Sequence, residues 1–165
     1  MISSMSVIVI GVGNSVLTDD SVGLQVVGQL AEQLHNRPEV ITLQWHTGGI
    51  GLMEVMSGHD KAIIIDAIVT EGGKPGTIYS LGTSDLLHCK NVHSTHDASL
   101  AVALELGRLV GLPLPEEVKI WAIEAGDVST FSETLTQEVA RAVPSVVGHV
   151  FRQLEATRSL AGEQL

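Results

Sequence analysis

Val7-Ile8-Val9-Ile10-Gly11-Val12-Gly13-Asn14 decides how the rest of the chain is read. Four β-branched residues in succession suit a strand buried on both faces, and the glycine-containing stretch after them ends it. The period changes from Asp19 onward. Val22, Val26, Val27 and Leu30 recur at three- and four-residue spacing, which predicts a helix with one apolar stripe. Asp19 and Asp20 stand at its start, where the helix dipole favours negative charge, and Asn36-Arg37-Pro38 closes it. Strand, loop and helix thus form one unit, and the same unit recurs outward.

Val40 to Trp45 reads as the second strand, followed by Thr47-Gly48-Gly49-Ile50-Gly51 and a short helix around Met53 to Ser57. Ala62-Ile63-Ile64-Ile65 is the third strand and is expected to stop at Asp66. Gly72-Gly73-Lys74-Pro75-Gly76 is turn chemistry, and Thr77 to Leu81 is a fourth strand. A second long helix is expected from His96 to Val110, with Ser94 and Thr95 as caps and with Leu100, Ala103, Leu104 and Leu106 inward. Val118 to Ile123 is the fifth strand. The last helix starts at Thr134 or Thr136, and Pro144 inside it predicts a kink or restart. Strands alternating with helices predict a single three-layer α/β domain over residues 1–155. Its twisted, mostly parallel sheet of about five strands is flanked by helices, and a polar tail, 156–165, is expected to fray.

Composition narrows the function classes. Of 165 residues 44% are hydrophobic and 17% charged, which excludes disorder as the main state. A formal charge of -10 argues against a nucleic-acid or anionic-membrane surface, so neither is expected as a partner. No apolar run approaches the ~20 residues of a membrane helix, and Met1 to Ser6 lacks a basic leader, so the expectation is cytoplasmic. The single cysteine, Cys89, excludes an internal disulfide and a cysteine-only zinc cluster. With no long apolar stripe left over, a monomer is expected.

In an open α/β sheet, ligands meet the carboxyl ends of the strands. The polar residues there are Asn14, Thr18, Asp19 and Asp20 after the first strand, His46 and Thr47 after the second, and Asp66 after the third. His93, His96 and Asp97 open the second long helix. Asp66 interrupts an apolar run, where a carboxylate is desolvated unless paired; accepting loop amides is the plainer role for it. With one acid from Asp19 or Asp20 and one histidine, it makes a carboxylate–carboxylate–imidazole set suited to nickel, zinc, manganese or iron. Gly11-Val12-Gly13 does not complete a dinucleotide fingerprint, because Val16 takes the third glycine's place and two acids at the helix start would repel a pyrophosphate. Ser94, Ser99 and Ser129 lie in no Gly-x-Ser-x-Gly elbow, and Cys89 has no positional partner. His35, His59 and His149 read as solvated; His88 and His93 lie before the second long helix.

Residues 10–23, from Ile10-Gly11-Val12-Gly13-Asn14 through Thr18-Asp19-Asp20-Ser21-Val22-Gly23, resemble the opening signature of the [NiFe]-hydrogenase maturation endopeptidases. Ile64-Ile65-Asp66-Ala67 with Pro75-Gly76-Thr77, then Ser94-Thr95-His96-Asp97-Ala98-Ser99-Leu100, then Trp121 to Val139 with Glu124 and Leu135-Thr136, resemble the family's later segments in order and spacing. The resemblance implies Asp20, Asp66 and His96 as metal-binding and catalytic positions. It also implies nickel carried by the substrate and a nickel-dependent endopeptidase. Such an enzyme removes the C-terminal extension of a [NiFe]-hydrogenase large-subunit precursor after nickel insertion. Asp19 and His93 are the nearest general-base candidates in sequence. A non-enzymatic nickel carrier or assembly checkpoint using the same ligands is the rival; a small-substrate metal hydrolase would want a second ligand cluster or phosphate loop. Two segments depart from the family, at three positions. Thr47-Gly48-Gly49-Ile50 stands where Asp-Gly-Gly-Thr is usual, and Ser21 where a glycine is usual.

Overall fold

The computed structural model describes residues 5–47, 49–88 and 97–162, without the side chains of 86–88, 97–99 and 159–162. Strand β1 (Val7–Val12) leads through a 3-10 turn (Asp19–Ser21) into helix α1 (Val22–Leu34), then β2 (Val40–Trp45), α2 (Ile50–Met56) and β3 (Lys61–Ile68). Then come β4 (Ile78–Gly82), α3 (Thr83–His88), α4 (Asp97–Leu109), β5 (Glu117–Glu124) and α5 (Gln137–Gly162). The sheet order is β2-β1-β3-β5-β4, parallel except for β4, which joins β5 antiparallel at the edge. This is the expected single α/β domain with a five-stranded, mostly parallel sheet between helices.

Side-chain alternation along each strand divides the core into two layers. Val9, Ile63 and Ile65 pack with Val26, Val27 and Leu30 of α1 and Val143, Val147 and Val150 of α5. Ile8, Ile10, Ile64 and Ile120 pack on the other face with Leu52 and Met56 of α2 and Leu100 and Leu104 of α4. Because β1 and β3 are covered on both faces, neither shows a polar alternation, as their apolar runs foretold. No described helix is long and apolar enough to cross a membrane.

Several local expectations are corrected. Asp66 does not end β3: the ladder continues through Asp66↔Ala122, Ala67↔Ile123 and Ile68↔Glu124. The apolar run resumes after it, and β5 supplies backbone partners throughout. Helix α3 was not anticipated. On α4, Leu106 is 47% exposed while Ala101 is buried, so the stripe is rotated by part of a turn. Helix α5 runs unbroken past Pro144, with buried Val139 and Val143 before the proline and Val146 and Val147 after it holding both halves on the sheet. It reaches as far as Gly162.

The first helix lies unusually close to the sheet. A Cβ on Gly23 would collide with the carbonyls of Val12 and Ile65, and one on Gly11 would collide with the carbonyl of Gly23. Only glycine at both positions permits this approach. The sheet order places β2 and β3 on opposite sides of β1, so the crevice for a ligand opens between the ends of β1 and β3.

Candidate active site

Two adjacent acids in the 3-10 turn face opposite environments. Asp19 is fully buried. Its Oδ2 accepts the N–H groups of Gly126 at 2.8 Å and Asp127 at 2.9 Å, and its Oδ1 accepts the N–H of Thr136 at 2.8 Å. The Thr136 hydroxyl also donates to it, 2.8 Å from Oδ2. A buried carboxylate is tolerable only with such a set of donors. Asp19 therefore braces the turn against residues 126–136. Fully buried among these donors, it does not face outward as a general base for a bound substrate would.

Asp20, by contrast, is partly exposed, and its Oδ2 accepts the N–H of Asn14 at 3.0 Å. Asp66 is 2% exposed, with Oδ1 accepting the N–H of Ala67 at 2.8 Å. By alternation with Ile64 and Ile68 its side chain lies on the face that α2 and α4 cover. The collision-tight seat of Gly23 fixes how the turn that carries Asp20 meets β3, the strand that carries Asp66. Gly23, three residues after Asp20, presses on the carbonyl of Ile65, the residue before Asp66. The 3-10 turn packs on β3 as a consequence. His96 and His93 lie outside the described residues, His96 immediately before α4. Among the described residues no three His, Cys, Asp or Glu side chains form a metal-holding group. A carboxylate on the 3-10 turn and another on β3 are donor types that suit a divalent cation bringing further ligands.

His46 adds an imidazole at the same end of the sheet. Its Nδ1 lies 3.2 Å from the carbonyl of Gly13, which can only accept, so Nδ1 is the donor in that contact. The Asn14 N–H that Asp20 accepts belongs to the same peptide group as that carbonyl. Thr47 is exposed and supplies no carboxylate where the family usually has one.

Two further braces shape the crevice. Glu124, 1% exposed at the end of β5, accepts the Thr70 N–H at 2.7 Å and the Thr70 hydroxyl at 2.8 Å, fixing the loop that follows β3. Asp127 accepts the N–H groups of Ser129 at 2.9 Å and Thr130 at 3.0 Å. Hydrogen bonding from the Thr130 side chain first, then from those N–H groups, holds its carboxyl down at about 2. The donor roles of Thr70 and Thr136 were missed in the sequence because a hydroxyl that serves a distant carboxylate leaves no spacing signal.

Residues 24–153 match the hydrogenase maturation protease family (HycI), most of the chain. The chain belongs to the hydrogenase maturation protease family. Among family relatives, the Hydrogenase 2 maturation protease of Escherichia coli K12 is 36% identical over 109 residues, which cover 65% of this chain and 66% of that protein. The solved hydrogenase maturating endopeptidase HybD from E. coli superposes with a TM-score of 0.78 at 28% identity, covering 93% of this chain and 94% of that one. The [NiFe] hydrogenase maturation protease HybD from Thermococcus kodakarensis shares the fold, with a TM-score of 0.72 at 22% identity over 90% of this chain and 99% of that one. The family match takes in Asp66 and the position of His96, whereas Asp20 precedes it.

Proposed function

We propose that this family member is an endopeptidase that removes the C-terminal extension of a [NiFe]-hydrogenase large-subunit precursor once nickel has been inserted, with Asp20, Asp66 and His96 meeting that nickel. The observation that carries the reading is the contrast within the acid pair: Asp19 is saturated by four donor groups, while Asp20 is turned toward solvent beside the crevice. The nickel arrives as part of the substrate. There it supplies Lewis-acid polarisation of a carbonyl or acidification of a bound water, each worth several kcal/mol of barrier.

The chain's own residues do the rest. Asp20, held by the Asn14 N–H, approaches the nickel with a preset orientation. Asp66, almost wholly desolvated, presents a carboxylate whose attraction for a cation is strengthened by the low local dielectric. The buried braces from Asp19 and Glu124 keep the surrounding loops from rearranging as the substrate tail enters.

The test is mass spectrometry of a purified large-subunit precursor, nickel-loaded and nickel-free, after incubation with this protein. Shortening at the C-terminus of the nickel-loaded sample alone is the expected result. A precursor that binds but stays intact in both samples would overturn the endopeptidase and leave a nickel-sensing checkpoint.

A further inference from the structure

Cleavage chemistry makes no use of the side chain of Phe131, one of two phenylalanines in the chain and 82% exposed. Its backbone is nonetheless firmly held. Phe131 bridges antiparallel to Leu17, Ser132 donates its N–H to the Val16 carbonyl at 3.0 Å, and Thr18 donates to the Thr130 carbonyl at 3.0 Å. The same two loops expose Val16 at 48% and Val128 at 37%. Apolar side chains held out in water by a braced backbone lose little freedom when a partner covers them, which is how interface anchors bind. The brace is the Asp19 carboxylate, so the ring stands on the same rigid unit as Asp20.

Charge identifies what would cover it. Residues 1–36 and 120–140, which include both loops, contain no Lys or Arg. They do contain acids, and beside Phe131 in sequence Glu133 is exposed and Asp127 partly so. With its carboxyl at about 2, Asp127 is negative throughout the physiological range.

We infer that Phe131, together with Val16 and Val128, is the docking surface for the precursor protein, and that the precursor segment seated there combines apolar with basic side chains. The inference rests on the endopeptidase reading for the identity of the partner. It goes beyond that reading in assigning recognition to residues that touch neither the nickel nor the scissile bond.

The experiment measures binding of full-length labelled precursor to the intact chain alongside cleavage kinetics, for wild type, Phe131→Ser, Phe131→Leu and Glu133→Lys. Phe131→Ser is expected to weaken binding by about tenfold to a hundredfold, the cost of losing one buried aromatic anchor. KM should rise by the same factor with kcat within about twofold. Phe131→Leu should recover most of the loss, and Glu133→Lys should weaken binding more at about 50 mM salt than at about 300 mM. Binding by Phe131→Ser within about twofold of wild type would overturn the docking surface, as would a wild-type chain that does not bind the precursor. Salt-independent binding by Glu133→Lys and wild type alike would overturn the basic partner segment. Wild-type binding lost in Phe131→Ser without any cleavage would sustain the surface and sink the endopeptidase; cleavage unchanged in Phe131→Ser would do the reverse.

Discussion

Replacing Asp19 by alanine separates the brace from the adjacent site acid. The substitution strips the acceptor from three backbone N–H groups, those of Gly126, Asp127 and Thr136, and from the Thr136 hydroxyl. Each donor left buried without a partner costs about 1–3 kcal/mol, but the loop 126–136 lies at the surface and some donors will reach water. Counting two of the four as truly orphaned gives about 2–6 kcal/mol, in the range for removing one member of a buried charged network. In a domain of this size each kcal/mol moves the melting temperature by about 2–4 °C, so a fall of roughly 4–24 °C is expected. Asp20→Ala, which loses one hydrogen bond at a partly exposed position, should move it by no more than about 4 °C. The assay is thermal unfolding followed by circular dichroism, on both variants in one buffer. Equal shifts for the two, or an Asp19→Ala chain melting within about 2 °C of wild type, would refute the assignment of Asp19 as a brace.

Three other outcomes follow from the geometry. Gly23→Ala drives a Cβ into the carbonyls of Val12 and Ile65, backbone atoms that cannot rotate away, so a loss of about 3 kcal/mol or more is expected in urea unfolding; a midpoint equal to wild type would show that α1 does not sit on the sheet as described. Asp66→Asn should abolish precursor shortening while the chain remains folded; retained cleavage would remove Asp66 from the site. The lowered Asp127 carboxyl contributes loop order that is present above the ordinary aspartate range and lost as pH falls through about 2. The amide resonances of Ser129 and Thr130 should therefore titrate with a midpoint near 2, and a midpoint near 4 would contradict the hydrogen bonding at that turn.

The sheet and its two helical layers were legible because buried parallel strands leave unbroken apolar runs and amphipathic helices leave a stripe. Errors fell where a local signal met a non-local partner. Asp66 looked like a strand end because a carboxylate breaks an apolar run. It sits inside β3 because β5 continues to offer backbone partners opposite it, which no local pattern reports. Leu106 looked inward by spacing, but α4 turns Ala101 to the core instead, a choice made by the neighbouring α2.

The same reasoning explains what was unreadable at the site. Asp19 and Asp20 are chemically identical neighbours, and nothing in the composition or periodicity around them separates one from the other. The separation comes from residues more than a hundred positions away, where Gly126, Asp127 and Thr136 converge on one carboxylate and leave the other to the crevice. A short 3-10 turn forces consecutive side chains to point apart, so burying one acid of the pair turns the other outward. On the proposed reading structural and functional duties are thereby divided between adjacent residues, and the rigidity supplied by the buried one sets the position of the exposed one. Loss of the brace would consequently disturb both recognition at Phe131 and the placement of Asp20, because both hang on the loop contact that Asp19 closes.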